Sequence, residues 1–333
     1  MNTQSHISGK SPHTPGGRST FAVVFQQPKQ LEVSRLSLPE PASDEVVVDI
    51  DWSGISTGTE RLLWTGKMPM FPGMGYPLVP GYESVGRVAM GCDSGSLREG
   101  DMVFVPGASC YGEIRGLFGG TASRLIVPES RAMKIQPQLA EKGTLLALAA
   151  TAYHALKPTP EAALPELIVG HGVLGRLLAR LVIALEGKPP VVWETQERRR
   201  TGATGYTLVD PQQDNQNAYQ TILDASGDSS LLDTLISRLA KGGEIILAGF
   251  YSQPLQFAFP PAFMREARMR VAAEWQPGDF EAVRSLCESG ALSLDGLITH
   301  ELPADQAANA YQQAFEDSDC LKMILNWKGM SSC

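Results

Sequence analysis

Cysteine, positive charge and long apolar runs are all scarce in this sequence, and each scarcity excludes something. The five cysteines, Cys92, Cys110, Cys287, Cys320 and Cys333, include no CxxC pair. An odd, scattered set suggests no disulfide framework and fits a reducing compartment, so a cytoplasmic location is expected. A net charge of −8 with a pI near 5.2 leaves no basic excess to neutralise phosphates, which argues against nucleic acid as a partner. It leaves room for a bulky, largely apolar anion in a local pocket. No apolar stretch approaches the roughly 18–20 residues of a membrane span. The opening "MNTQSHISGKSPHTPGGRST" is polar and lacks the apolar centre of a signal peptide, so residues 1–20 read as a disordered tail.

What is present follows two grammars. A chain of 333 residues is long enough for two domains. From Phe21 to about Val127, short strands alternate with Gly/Pro turns. "FAVVFQQPKQLEVSRLSLPEP" reads as a hairpin, and "EVVVDIDWSGIS" alternates with period two from Val46 to Trp52. "EGDMVFVPG" and "SRLIVPES" are further strands, and the whole fits a partly open barrel. After about residue 145 strands alternate with helices, as in a parallel sheet with covering helices. The tail from Asp279 breaks that alternation and is expected to return to the first domain. The expected class is α/β, divided into 21–146, 147–275 and a returning segment over 276–333.

Gly170-His171-Gly172-Val173-Leu174-Gly175 matches G-x-G-x-x-G in the right context. It follows an apolar strand (Leu167, Ile168, Val169) and opens a helix with Leu174, Leu177, Leu178, Leu181, Val182 and Leu185 at helical spacing. A second strand (Val191, Val192, Trp193) ends in Glu194. Gly170 permits the tight turn, Gly172 lets backbone approach a pyrophosphate, and Gly175 lets the helix pack close to the strand. Glu194 suits the ribose hydroxyls and repels a 2′-phosphate, so NAD is expected. Arg198, Arg199 and Arg200 are the counterweight, because they suit NADP. Ala225 and Ser226 in "DASG", and Gly249 in "LAGF", end later strands. They are candidate walls of a nicotinamide pocket, or ordinary strand-to-helix turns.

"VPGYESVGRV" (79–88) puts Tyr82 and Glu83 at the mouth of a strand, where a carboxylate is costly unless something pairs with it. Metal, proton relay and structural ion pair are the three candidate roles. From Phe21 to Trp327 the chain resembles the medium-chain dehydrogenase/reductase superfamily. The landmarks are "SGIS" (53–56), "PGYESVGRV" (80–88), "EGDMVFV" (99–105), the Gly-rich turn and "LAKGGEIILAG" (239–249). The resemblance implies a GroES-like catalytic domain followed by a Rossmann NAD-binding domain, usually paired in a homodimer. Zinc-dependent members place a Cys at Ser56, a His–Glu pair at Tyr82–Glu83 and a third ligand near Ala147. Only Glu83 is left of that set, and the four cysteines of the structural zinc lobe reduce to Cys110. One carboxylate cannot hold zinc, so no metal is expected. The stretch 53–88, with "GHGVLGRLLARL" and "ILDASGD", resembles the branch that oxidises the ring-A 3-hydroxyethyl group of a bacteriochlorophyllide to acetyl with NAD.

Alcohol oxidation without zinc needs a substitute for the metal. A conjugated macrocycle beside the carbinol carbon can delocalise the positive charge left as hydride departs. A protein base is the other route, with Glu83 as base, Tyr82 as donor or relay, and Ser56, Thr57 or Thr59 holding the hydroxyl. His154 in "TAYHAL" is a further titrating group, equally readable as a structural histidine. The loop "WTGKMPMFPGMGY" offers Trp64, Met70, Phe71, Met74 and Tyr76 as an adaptable apolar wall. Lys67 or Arg61 would meet a substrate carboxylate there, and the same loop also reads as a lid packed on its own domain. Two rival readings stand beside this one. One is a zinc-independent quinone or enoyl reductase using NADPH, and the other a non-catalytic NAD-binding protein.

Overall fold

A computed structural model describes residues 18–93, 95–157, 163–251 and 253–330 of the chain. The expected tail lies outside the described residues up to position 17, but its end is ordered. The first strand starts at Ser19, because Ser19 and Thr20 continue the hairpin register onto Ser37 and Leu36.

Two β-layers form the first half. A four-stranded sheet runs in the order Gln30–Ser37, Ser19–Gln27, Leu78–Val79, Arg115–Gly116. A seven-stranded mixed sheet is centred on Glu45–Ile55, which pairs antiparallel with Ser84–Met90, Arg124–Pro128 and Met323–Asn326. The last strand of the chain is therefore an inner strand of this sheet. The period-two pattern over Val46–Trp52 is only partly expressed as burial, since Val46, Val47 and Val48 are all covered. A central strand packed on both faces has no need to alternate.

The second half is a six-stranded parallel sheet in the order Thr207–Val209, Val191–Trp193, Leu167–Val169, Tyr219–Asp224, Leu239–Leu247, Arg268–Val271. Helix Val173–Ala184 lays Leu177, Leu178, Leu181 and Val182 into its core, the face that the helical spacing of those residues dictates. Helix Leu146–Leu156 packs against both Val173–Ala184 and Pro277–Glu288, tying the two halves together. Among the described residues no helix is long and apolar enough to cross a membrane.

Candidate active site

Three strand ends meet at one rim of the mixed sheet. The antiparallel register sets Ser53 opposite Ser84 and Ile55 opposite Met323. The residues just beyond those ends, Ser56, Glu83 and Lys322, are brought together from distant parts of the chain. Lys322 Nζ donates to Glu83 Oε2, and both side chains are almost wholly buried. A Cβ at Gly54 would lie 2.4 Å from Glu83 Oε2, so a larger residue there would displace the ion pair. An ion pair is thus what the geometry gives Glu83, with a lysine from the C-terminal segment as its partner. Its other oxygen, Oε1, is buried with no hydrogen-bond partner among the described residues.

A set of hydroxyls adjoins this pair. The Tyr82 hydroxyl donates to Ser56 Oγ at 2.7 Å and lies 3.4 Å from Thr59 Oγ1. Burial, helped by the neighbouring Glu83 carboxylate, pushes the phenol well above its ordinary range, so Tyr82 serves as a neutral donor. The Phe118 ring meets the Tyr82 ring edge to face at 5.3 Å, and Phe118 itself is partly open to solvent. The Ser56 amide donates to Glu60 Oε1 at 2.9 Å, and the Tyr311 hydroxyl donates to Glu60 Oε2. Glu60 and Tyr311 are wholly buried. Burial raises the Glu60 carboxyl to about 7 against the opposing pull of the Tyr311 and Ser56 bonds.

Sequence reasoning did not find Glu60, Phe118, Lys322 or Tyr311. Glu60 had a usable signal, a charged residue in the first turn of a short helix (Thr59–Thr65) directly after Ser56. Lys322 and Tyr311 had none, since their partners lie 239 and 251 residues away in sequence.

Other candidates are placed apart from this cluster. His154 bonds Asp279 Oδ2 at 2.7 Å, and Asp279 also pairs with Lys157 and receives the Gln276 amide at the start of helix Pro277–Glu288. That pairing ties helix Leu146–Leu156 to helix Pro277–Glu288. Thr57 is exposed. Trp64 stacks edge-on against buried Phe25 at 5.5 Å, and Met74 and Tyr76 pack on the same core, with the Tyr76 hydroxyl bonded to Leu63 O. These three turn inward because the loop folds onto its own domain. Met70, at 82% exposure, and Phe71 project outward with Lys67 and Arg61.

The Gly-rich turn is built for an anion. Gly170 adopts a φ of 97°, and a Cβ at Gly175 would fall 1.9 Å from Gly170 O. A Cβ at Gly172 would meet nothing within 4 Å, so that face is open. Helix Val173–Ala184 has no side-chain cap, which leaves the Val173 and Leu174 amides for a phosphate. The His171 side chain turns into the core, so that only its backbone belongs to the glycine turn. Its Nδ1 bonds Arg199 O at 2.8 Å and its Nε2 bonds the Tyr206 hydroxyl at 2.7 Å. A carbonyl only accepts, so Nδ1 carries the proton. Burial lowers the ring to about 4, keeping it neutral. Its backbone amide donates to Glu194 Oε2 at 3.2 Å, and the Gln196 amide donates to Glu194 Oε1 at 2.8 Å. Arg200 is held by Asp210 at 2.6 Å and Arg199 by Ser318 O at 3.1 Å, leaving Arg198 exposed. At the carboxyl ends of the next strands, Ser226 and Tyr251 donate to the buried Asp224 carboxylate. This braces the turn carrying Ala225 against the one carrying Gly249, where a Cβ would lie 2.7 Å from Gly227 N.

A β-rich domain with a buried hydroxyl–carboxylate site, joined to a parallel sheet with an open glycine turn, defines a dehydrogenase. Residues 42–137 match the alcohol dehydrogenase GroES-like domain. The chain is 58% identical over 310 residues to 2-desacetyl-2-hydroxyethyl bacteriochlorophyllide A dehydrogenase of Rhodobacter capsulatus, covering 93% of this chain and 98% of that one. It is 58% identical over 314 residues to the protein of that name from Cereibacter sphaeroides, with the same coverage. The chain belongs to the medium-chain dehydrogenase/reductase superfamily, in the family of the bacteriochlorophyllide A dehydrogenases. Its fold is that of L-idonate 5-dehydrogenase from Escherichia coli, with a TM-score of 0.81 at 20% identity over 93% of this chain and 98% of that one. Solved proteins of this fold hold NADH in one case and NADP in another.

Proposed function

We propose that this protein oxidises the 3-hydroxyethyl group of a bacteriochlorophyllide to a 3-acetyl group, with NAD as hydride acceptor and without catalytic zinc. The substrate reading is supported by 58% identity to relatives of that name along 93% of the chain. The carbinol C–H bond breaks with its electron pair leaving as hydride to the nicotinamide. Ser56 Oγ holds the alcohol oxygen and takes its proton once the hydroxyls rotate from the resting Tyr82-to-Ser56 bond, so that Ser56 donates to Tyr82, Tyr82 to Thr59, and Thr59, the half-buried outer end, to water. Met70, Phe71 and Phe118 supply the outward apolar contacts for a flat macrocycle. Residues 21–146 with 276–333 form the catalytic unit in this reading, and 147–275 the cofactor unit.

The donor chemistry at the rim does not fit zinc. Ser56 and Tyr82 offer hydroxyls where a metal site needs thiolate or imidazole, and the Lys322 ammonium lies on the Glu83 carboxylate. A cation there would face a buried positive charge instead of a ligand. NAD over NADP is supported by the Glu194 carboxylate beside the glycine turn, with the Arg199 side chain bonded to Ser318 O and the Arg200 charge paired with Asp210.

The test is an absorption spectrum of the protein with 3-hydroxyethyl bacteriochlorophyllide a, NAD and excess chelator, in dim light. Conjugating an acetyl group to the ring should shift the long-wavelength band to the red, only with NAD and despite the chelator. A shift abolished by the chelator would remove the zinc-free mechanism. No shift under any condition, zinc included, would remove the substrate.

A further inference from the structure

Two buried carboxylates, Glu60 and Glu83, share the rim with one ammonium, Lys322, and that ammonium is bonded to Glu83. Glu60 is left with neutral donors only, the Ser56 amide and the Tyr311 phenol. Its position is therefore fixed, and among the described residues it has no ion-pair partner when ionised. Nothing in the ion pair or the hydroxyl chain requires such a residue, and an ordinary core would place an apolar side chain there.

We propose that Glu60, clamped by Tyr311, is a positioning residue for the alcohol site. Its carboxylate fixes Ser56 through the backbone amide, and its negative charge favours departure of hydride from the carbinol carbon. The argument rests on the function proposed above. As hydride leaves, positive charge develops on the carbon, and a nearby anion in a water-poor site stabilises it more than one in water would. The same anion assists loss of the alcohol proton through the Ser56 and Tyr82 hydroxyls. The charged and titratable groups facing Glu60 are Glu83 and Lys322 at the other two strand ends and Tyr311 on helix Ala307–Glu316. The nearby Tyr82 stays neutral. Ionisation of Glu60 with a midpoint of about 7 then places its charge change near neutral pH.

Two variants and two readouts test the assignment. In the wild type, kcat for alcohol oxidation should rise with pH through a midpoint near that of Glu60. Glu60→Gln keeps an acceptor for the Ser56 amide and should lower the high-pH plateau roughly ten-fold while flattening the rise. Tyr311→Phe removes a bond that favours the charged form, so its midpoint should move to higher pH while the plateau survives. The second readout needs no substrate. The infrared band of a protonated carboxyl group, titrated on the enzyme alone, should disappear in Glu60→Gln and titrate at higher pH in Tyr311→Phe. Wild-type midpoints in both variants would overturn the proposal. Correct infrared shifts without any pigment turnover would count against the substrate instead. A band unchanged in both variants would overturn the clamp whatever the turnover.

Discussion

Lys322 neutralises Glu83 in a place almost without water, and removing it exposes what that arrangement costs. Lys322→Met would leave a buried, unpaired carboxylate and should destabilise the protein by about 3–5 kcal/mol. Adding Glu83→Leu should recover most of that loss, since an apolar pair often equals a buried ion pair. Thermal or denaturant unfolding of the single and double variants measures this, and a double variant no better than the single one would exclude the ion pair as the cause. Glu60 makes a separate prediction about pH. Its folded carboxyl is raised from 4.5 to about 7, so the native state holds a proton there that the unfolded chain releases. The stabilisation is complete below pH 4.5 and is lost as pH rises through about 7, a difference of about 3 kcal/mol. Unfolding free energies at pH 5 and pH 8 should show this decline in the wild type and not in Glu60→Gln. Neither Lys322 nor Tyr311 was legible in the sequence, because a solitary Lys or Tyr near a terminus carries no local pattern that names its partner.

Helix Val173–Ala184 and the turn before it were legible down to single residues. A local pattern determines them: glycines where backbone must approach backbone, leucines where the helix meets the sheet. What spacing did not convey was the direction of His171, which leaves the cofactor face to lock the Arg199–Tyr206 segment. That lock holds the segment carrying Arg200, whose guanidinium pairs with Asp210 and donates to the Glu194 backbone carbonyl. Glu194→Gln should therefore weaken discrimination against NADP by roughly ten-fold or more, by removing one charge beside the ribose. Steady-state KM values for both cofactors decide it, and an unaltered NAD/NADP ratio would show that Glu194 does not set the preference. The Met/aromatic loop was half legible. Its composition announced an apolar wall, but Trp64, Met74 and Tyr76 turned to their own domain, and only tertiary packing sorts inward from outward in an irregular loop.

At the scale of the molecule, most of the large exposed apolar side chains among the described residues fall in one segment, 250–271. Phe250, Phe257, Phe259, Phe263, Met264, Met269 and Val271 are all exposed, and they surround Arg268–Val271, the open edge of the parallel sheet. An edge strand flanked by apolar side chains suits pairing with a second copy, and we propose a homodimer through this edge. Charging the patch with Phe263→Glu and Met264→Glu should give a monomer in sedimentation while leaving the cofactor turn intact. A double variant that sediments as the wild type would place any dimer contact elsewhere.

By itself the sequence determined the class of fold and the glycine turn with the helix that follows it, because both are written in short-range spacing and in the residue types present. Only the tertiary structure decided what Glu83 does, and it brought Glu60 and Tyr311 into the site at all. Those contacts join residues about 240 positions apart, through the register of the last strand against Glu45–Ile55 and the packing of helix Ala307–Glu316. A strand pairing of that range depends on which surfaces the rest of the chain leaves to be covered, and no local pattern encodes it.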